Sequence, residues 1–72
     1  MTASTHVYHV LPDSEGGWKV EKDGAGRPSA RTETKEDAIF YASELAQATR
    51  PSQLIIYDDR GGVELERSFS RI

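Results

Sequence analysis

Gly16-Gly17-Trp18-Lys19-Val20-Glu21, then Gly24-Ala25-Gly26-Arg27-Pro28, then Thr34-Lys35-Glu36-Asp37-Ala38, is the run whose reading decides the fold. A strand carrying one large aromatic leaves a glycine pair. It turns through a second glycine-rich stretch and returns to enter a capped helix. Alternate residues of an extended chain share a face. Trp18 and Val20 therefore face a core, while Lys19 and Glu21 face water. Gly24 and Gly26 supply the positive φ that a tight turn demands. Residues 29–33 are short and polar and read as an edge strand, where such composition blunts unwanted pairing.

Thr34 is a good N-cap, because its hydroxyl can accept a free amide of the first helical turn. Glu36 and Asp37 sit near the positive end of the helix dipole. Asp37 also takes the place of a capping-box carboxylate. Pro51 disfavours helical geometry at Arg50 and so ends the helix near Thr49. At 100° per residue, Ala38, Ala42, Leu45 and Thr49 line one stripe, with Ile39 and Ala46 on its shoulder. Small alanines let a helix lie close on a sheet.

Outward from this centre, residues 5–11 are rich in β-branched and aromatic types and read as a first strand. Residues 53–58 form an apolar strand. Asp58-Asp59-Arg60-Gly61-Gly62 is a turn, and residues 63–69 form the last strand. The order is β-β-β-α-β-β. The expectation is an α+β fold: an antiparallel sheet with one helix packed on one face. Residues 1–4 are expected to be disordered, and residues 5–72 to form one small domain.

With 72 residues, such a domain buries only ~60% of the surface its unfolded chain exposes. The stability expected at this size is roughly 3–5 kcal/mol, and a homodimer would relieve the shortage. There are no cysteines, which removes disulfides and thiolate metal sites and favours a reducing compartment. The N-terminus has neither the basic nor the apolar region of a signal peptide. The longest apolar run, Leu54-Ile55-Ile56-Tyr57, is far short of the ~20 residues a membrane span needs. The expectation is a soluble cytoplasmic protein without a membrane partner.

The formal net charge is −3 and is unevenly distributed. Residues 1–35 balance five Lys and Arg against five Asp and Glu, whereas residues 36–72 set four Arg against seven acids. A broad phosphate-binding surface is disfavoured, yet a local basic patch in the first half remains open. Lys19, Lys22, Arg27 and Arg31 are its candidates, on the sheet face of the first three strands, in the manner of β-ribbon readers of DNA. Lys35 extends the set. Glu21, Asp23 and Glu33 interleave with these cations and weaken the field.

Catalytic signatures are weak. No serine lies in a nucleophile elbow. His6 and His9 lie three apart on a strand, so they point to opposite faces and read as strand positions rather than ligands. The Asp58 turn lacks the alternation and terminal Glu of a calcium loop. Gly24-Ala25-Gly26-Arg27 does not open into a helix as a phosphate loop does. No catalytic residue, cofactor or metal ligand is assigned, and the chain reads as a non-enzyme.

Phe40 stands out. It falls nearly opposite the core stripe, among Glu36, Ser43, Glu44 and Gln47, with Tyr41 on the next flank. Exposed aromatics together mark contact surfaces. Phe40, Tyr41 and Gln47 are therefore the candidate partner-binding residues of a protein-interaction or accessory module. Nucleic-acid binding is the alternative.

Several stretches carry a family pattern: Tyr8-His9-Val10-Leu11-Pro12, Gly17-Trp18-Lys19-Val20, Gly24-Ala25, Arg27, Ser29, Thr34-Lys35-Glu36-Asp37-Ala38-Ile39, Glu44-Leu45-Ala46, Arg60-Gly61-Gly62-Val63 and Glu66-Arg67-Ser68-Phe69. The chain resembles the DUF2188 family of small bacterial, archaeal and phage proteins over about residues 6–70. The resemblance implies no activity, cofactor or catalytic residue. The chain departs from the pattern at Phe40 and Tyr41, where polar or small residues are expected, and at Tyr57, where a His is common. It also has Gly61-Gly62 in place of a single Gly preceded by Asp.

Overall fold

The computed structural model describes residues 5–70, so the expectation for residues 1–4 lies outside the described residues. The elements run β1 (His6–Pro12), β2 (Trp18–Lys22), β3 (Pro28–Thr32), α1 (Lys35–Ala48), β4 (Ser52–Tyr57) and β5 (Val63–Phe69). They form one five-stranded sheet in the order β3-β2-β1-β4-β5. One helix packs over β1 to β4.

The α+β expectation holds, but the sheet is mixed. β1 pairs with β4 in parallel, with Val10 beside Ile56 and Tyr8 beside Leu54. The other three pairings are antiparallel. The cause lies in the connection through α1. Two hairpins return β3 to the direction of β1, and the helix carries the chain back to its starting end. β4 then runs the same way and docks on the free side of β1.

The register places Tyr8, Val10, Val20, Leu54 and Ile56 on one face, where all five are buried. Ala38, Ala42 and Ala46 of α1 are fully buried against them. Leu45 and Ile39 are half-buried beside this row. The buried stripe is thus centred closer to Ala46 than the sequence stripe through Leu45 suggested. Val20 is fully buried, while Trp18 is half-buried at the rim of the core.

The helix ends follow the expected chemistry. The Asp37 amide donates to Thr34 Oγ1 at 3.1 Å. At the other end the Thr49 amide donates to Ala46 O at 3.3 Å, and Ser52 Oγ donates to the same carbonyl. Thr49 Oγ1 donates to Leu45 O at 2.9 Å, which leaves it to accept the Tyr8 phenol proton at 3.1 Å.

Two of the turns are one solution used twice. In Asp13-Ser14-Glu15-Gly16-Gly17, Gly16 N–H donates to Asp13 O and Asp13 N–H to Gly17 O, both at 3.0 Å. In Asp58-Asp59-Arg60-Gly61-Gly62 the equivalent bonds measure 3.1 and 2.8 Å. The first aspartate of each turn also accepts an amide two residues on, from Glu15 or Arg60. Gly16 and Gly61 take φ of 104° and 87°, values that side-chain-bearing residues rarely adopt. Because β1 and β4 are parallel, both turns lie at the same end of the sheet.

Candidate functional site

On α1, Phe40 is 70% exposed and Tyr41 41% exposed, with Gln47 also exposed. The three alanines on the opposite side lie flat on the sheet, which turns Phe40 outward. Sequence reading missed a second apolar exposure. Val63 and Leu65 of β5 are 54% and 49% exposed, because the helix lies over the other four strands. Contacts at its two ends tie α1 to the β5 side: Lys35 Nζ with Glu64, and Arg50 donating to Ser70 O at 3.2 Å. The alternation of β5 was legible, but which strand the helix leaves bare depends on sheet order.

The basic candidates are dispersed. Lys19 lies on the face away from the helix and pairs with Glu21 at 3.2 Å. Arg31 shares that face and reaches across β2 to Asp13, also at 3.2 Å. Lys22 lies on the helix side, its ammonium 5.9 Å from the centre of the Tyr8 ring. Arg27 is exposed in the β2–β3 turn. Lys35 lies over Trp18, 5.2 Å from the ring centre. The structure thus brings Lys19 and Arg31 to one face, each with a carboxylate, and sets Lys22 and Arg27 at the far end.

A constellation from three distant segments lies on the open sheet face. His9 Nδ1 is 2.9 Å from the Tyr57 hydroxyl, and His9 Nε2 is 2.5 Å from Asp23 Oδ1. An ionised carboxylate only accepts, so Nε2 donates to Asp23, and Nδ1 faces the Tyr57 hydroxyl. Beside this chain is a depression of about 280 Å³, lined by His9, Glu21, Lys22, Asp23 and Arg27 with the two turn glycines. A second depression of about 340 Å³ lies along β3, between Arg27, Pro28, Ala30 and Arg31. His9 and Asp23 are 14 residues apart in sequence, and His9 and Tyr57 are 48 apart. The hairpin register, which sets His9 opposite Glu21, was the available signal for the first pair. Nothing local signals the second.

His6, by strand alternation, projects to the other face from His9. Among the described residues no three His, Cys, Asp or Glu side chains gather as a metal site would need. Asp58 is the ionisable group whose environment moves it clearly. Amide donation from Gly62 first, then from Arg60, holds its carboxyl below the ordinary value of 3.8. This is the signature of a turn-forming aspartate.

Residues 8–69 match the model of a family described as "Uncharacterized protein conserved in bacteria (DUF2188)". The chain is also similar to the uncharacterized protein YycD of Bacillus subtilis (strain 168). The two are 36% identical over 63 residues, which cover 86% of this chain and 94% of the relative. No solved structure matches it.

Proposed function

This chain belongs to the DUF2188 family, and from that premise we propose that it is a non-enzymatic interaction module that presents the outer face of α1 to another protein chain. One observation carries the reading: Phe40 and Tyr41 stand exposed side by side on a helix whose inner face is already closed by alanines. Solvating an aromatic pair there adds nothing to the core, whereas covering it removes apolar surface from water. Gln47, on the same outer side, supplies a polar contact at the rim. A second copy of the chain is the first partner to test, since a domain this small gains most from association. The cysteine-free composition suits the cytoplasm in this reading.

The test is sedimentation equilibrium of the wild type and Phe40→Glu over a wide concentration range. The expected result is a mass that rises toward a dimer for the wild type and stays monomeric for the variant. If both are monomers, and a pull-down with the wild type recovers no protein that Phe40→Glu loses, the reading fails.

A second reading, nucleic-acid binding by Lys19, Lys22, Arg27 and Arg31, draws on the depression along β3 that Arg27 and Arg31 share. It requires a low-salt gel shift with DNA or RNA that weakens as salt rises. No shift with either would end it.

A further inference from the structure

Charge is sorted along the strands. The two aspartate-led turns, with Asp13, Asp58 and Asp59, lie at the end of the sheet where α1 begins, and Glu36, Asp37 and Glu64 belong to the same end. The opposite end, where α1 finishes, holds Lys22, Arg50 and Arg67. The register sets Lys22 beside Tyr8, Tyr8 beside Leu54 and Leu54 beside Arg67. These four form one row on the helix face, with Tyr8 and Leu54 buried in its middle. The last turn of α1 lies over the row, and Tyr8 meets Thr49 Oγ1 there at 3.1 Å. Arg50 follows that turn. Its guanidinium lies 5.7 Å from the centre of the Phe69 ring, and that of Arg67 lies 5.5 Å from the same centre. One buried ring thus gathers two arginines.

None of the three cations has a carboxylate partner among the described residues. Glu66, next to Arg67, is in register with Ile55 and so points to the other face of the sheet. Asp23, next to Lys22, is held by His9 on that other face. The carbonyls at the end of α1 contribute about half a negative charge, against three positive ones. The acids of the far end are a strand away. Seven residues of β1 at ~3.3 Å each make roughly 20 Å, whereas exposed charges are screened beyond ~8 Å at physiological salt. An approaching anion meets a positive end although the chain as a whole carries −3.

Lys22 and Arg67 are three strand spacings apart, about 14 Å, wider than one phosphate or carboxylate group. The occupant is therefore a polyanion. An acidic protein would dock through apolar anchors, and the apolar members of this group, Tyr8, Leu54 and Phe69, are already buried. A phosphate backbone needs no anchor, because counterion release supplies the affinity. Arg50 also donates to Ser70 O at 3.2 Å. Its side chain is ordered before binding, which lowers the cost of association.

We infer that the end of the sheet where α1 finishes binds the sugar-phosphate backbone of a nucleic acid without sequence preference, with Arg50 and Arg67 as a paired contact and Lys22 beyond the helix end. Phosphate contacts position a nucleic acid and carry no base information. The inference rests on the nucleic-acid reading above but keeps only Lys22 from its residues. Lys19 and Arg31 already have carboxylates, and Arg27 lines its depression together with Glu21 and Asp23.

The experiment is fluorescence anisotropy with a short labelled DNA duplex, its single strand and an RNA of the same sequence, over rising sodium chloride. Wild-type affinity should fall with salt, with a logarithmic slope of about −2 to −3 for three phosphates. Arg50→Ala combined with Arg67→Ala should weaken binding about tenfold or more and reduce the slope by about two. Arg50→Lys combined with Arg67→Lys keeps the charge and should retain most of the affinity, which separates a phosphate contact from a fold defect. Lys19→Ala combined with Arg31→Ala should bind as the wild type does. If that last pair loses binding while the two alanines at Arg50 and Arg67 do not, the inference is overturned and the open-face reading stands. No binding of any nucleic acid at low salt overturns both. Polyglutamate that binds where nucleic acid does not also overturns it, and assigns this end to an acidic protein.

Discussion

The Tyr57 hydroxyl lies 2.9 Å from His9 Nδ1 across the parallel pair of β1 and β4, joining two residues on the same open face of the sheet. Through the same ring the contact continues to Asp23. Strands from both halves of the chain and the β2–β3 turn are thereby linked by side chains as well as by the ladder. Tyr57→Phe removes one hydrogen bond and keeps the ring. It should cost about 1 kcal/mol, read as a lower urea midpoint with an unchanged slope. No loss of stability would show that the phenol and imidazole are equally well served by water.

Asp58 gives the pH dependence a sign. Its carboxyl is held below the ordinary value because the folded turn donates amides to the ionised form. A lowered folded pKa contributes stability that is complete above the unfolded value and disappears as pH falls through the folded one. The stability gap between wild type and Asp58→Ala should therefore be constant at neutral pH. It should begin to narrow near the ordinary value of 3.8 and close at lower pH. Urea unfolding of both proteins from pH 7 to pH 2 measures it, and a gap that widens in acid contradicts the assignment.

Glycines at positive φ should not respond alike to alanine. At Gly24 an added methyl meets open space, so the expected cost is the left-handed backbone alone, about 1–2 kcal/mol. At Gly17, φ is 76° and the methyl would lie 2.5 Å from Thr32 O, a backbone atom that moves only if β3 moves. Gly17→Ala should be the worse variant by a clear margin in thermal melts. Equal melting temperatures would mean that β3 yields freely.

Leu54 is fully buried between the helix and its neighbouring strands. Leu54→Ala should cost about 2–5 kcal/mol, comparable to the whole stability of roughly 3–5 kcal/mol expected of so small a domain. The expected outcome is a chain largely unfolded at room temperature, with weak amide dispersion and early urea loss. Phe40→Glu, at an exposed position, should stay within about 0.5 kcal/mol of wild type.

What the sequence disclosed was local. Thr34, the helix's alanines and the alternation of Trp18 and Val20 each act within one turn or one strand; the structure places the cap as read, shifts the buried stripe from Leu45 to Ala46, and leaves Trp18 at the rim of the core. The parallel pairing of β1 with β4 was hidden. Turn residues announce hairpins, and nothing in residues 52–57 states which neighbour they will choose. The same limit applied at the site. Phe40 and Tyr41 could be found from helical period alone, whereas Tyr57, His9 and Asp23 meet only because that unannounced pairing exists. Lys19 and Arg31 were placed on the correct face, but their carboxylate partners depended on cross-strand geometry.

The central seam between β1 and β4 also has a consequence in time. The β1–β2 and β4–β5 hairpins are each closed by their own turn, and an isolated hairpin forms in about 1–10 μs. Their junction must wait for residues from opposite halves of the chain to meet, with the entropy cost of closing a long loop. Folding should therefore be slower than hairpin formation, with a rate set by this encounter. Stopped-flow or temperature-jump refolding measures it, and relaxation as fast as a hairpin would place the barrier elsewhere. On this view the protein assembles from its flanks toward its middle, and the strands that end deepest are the last to find each other.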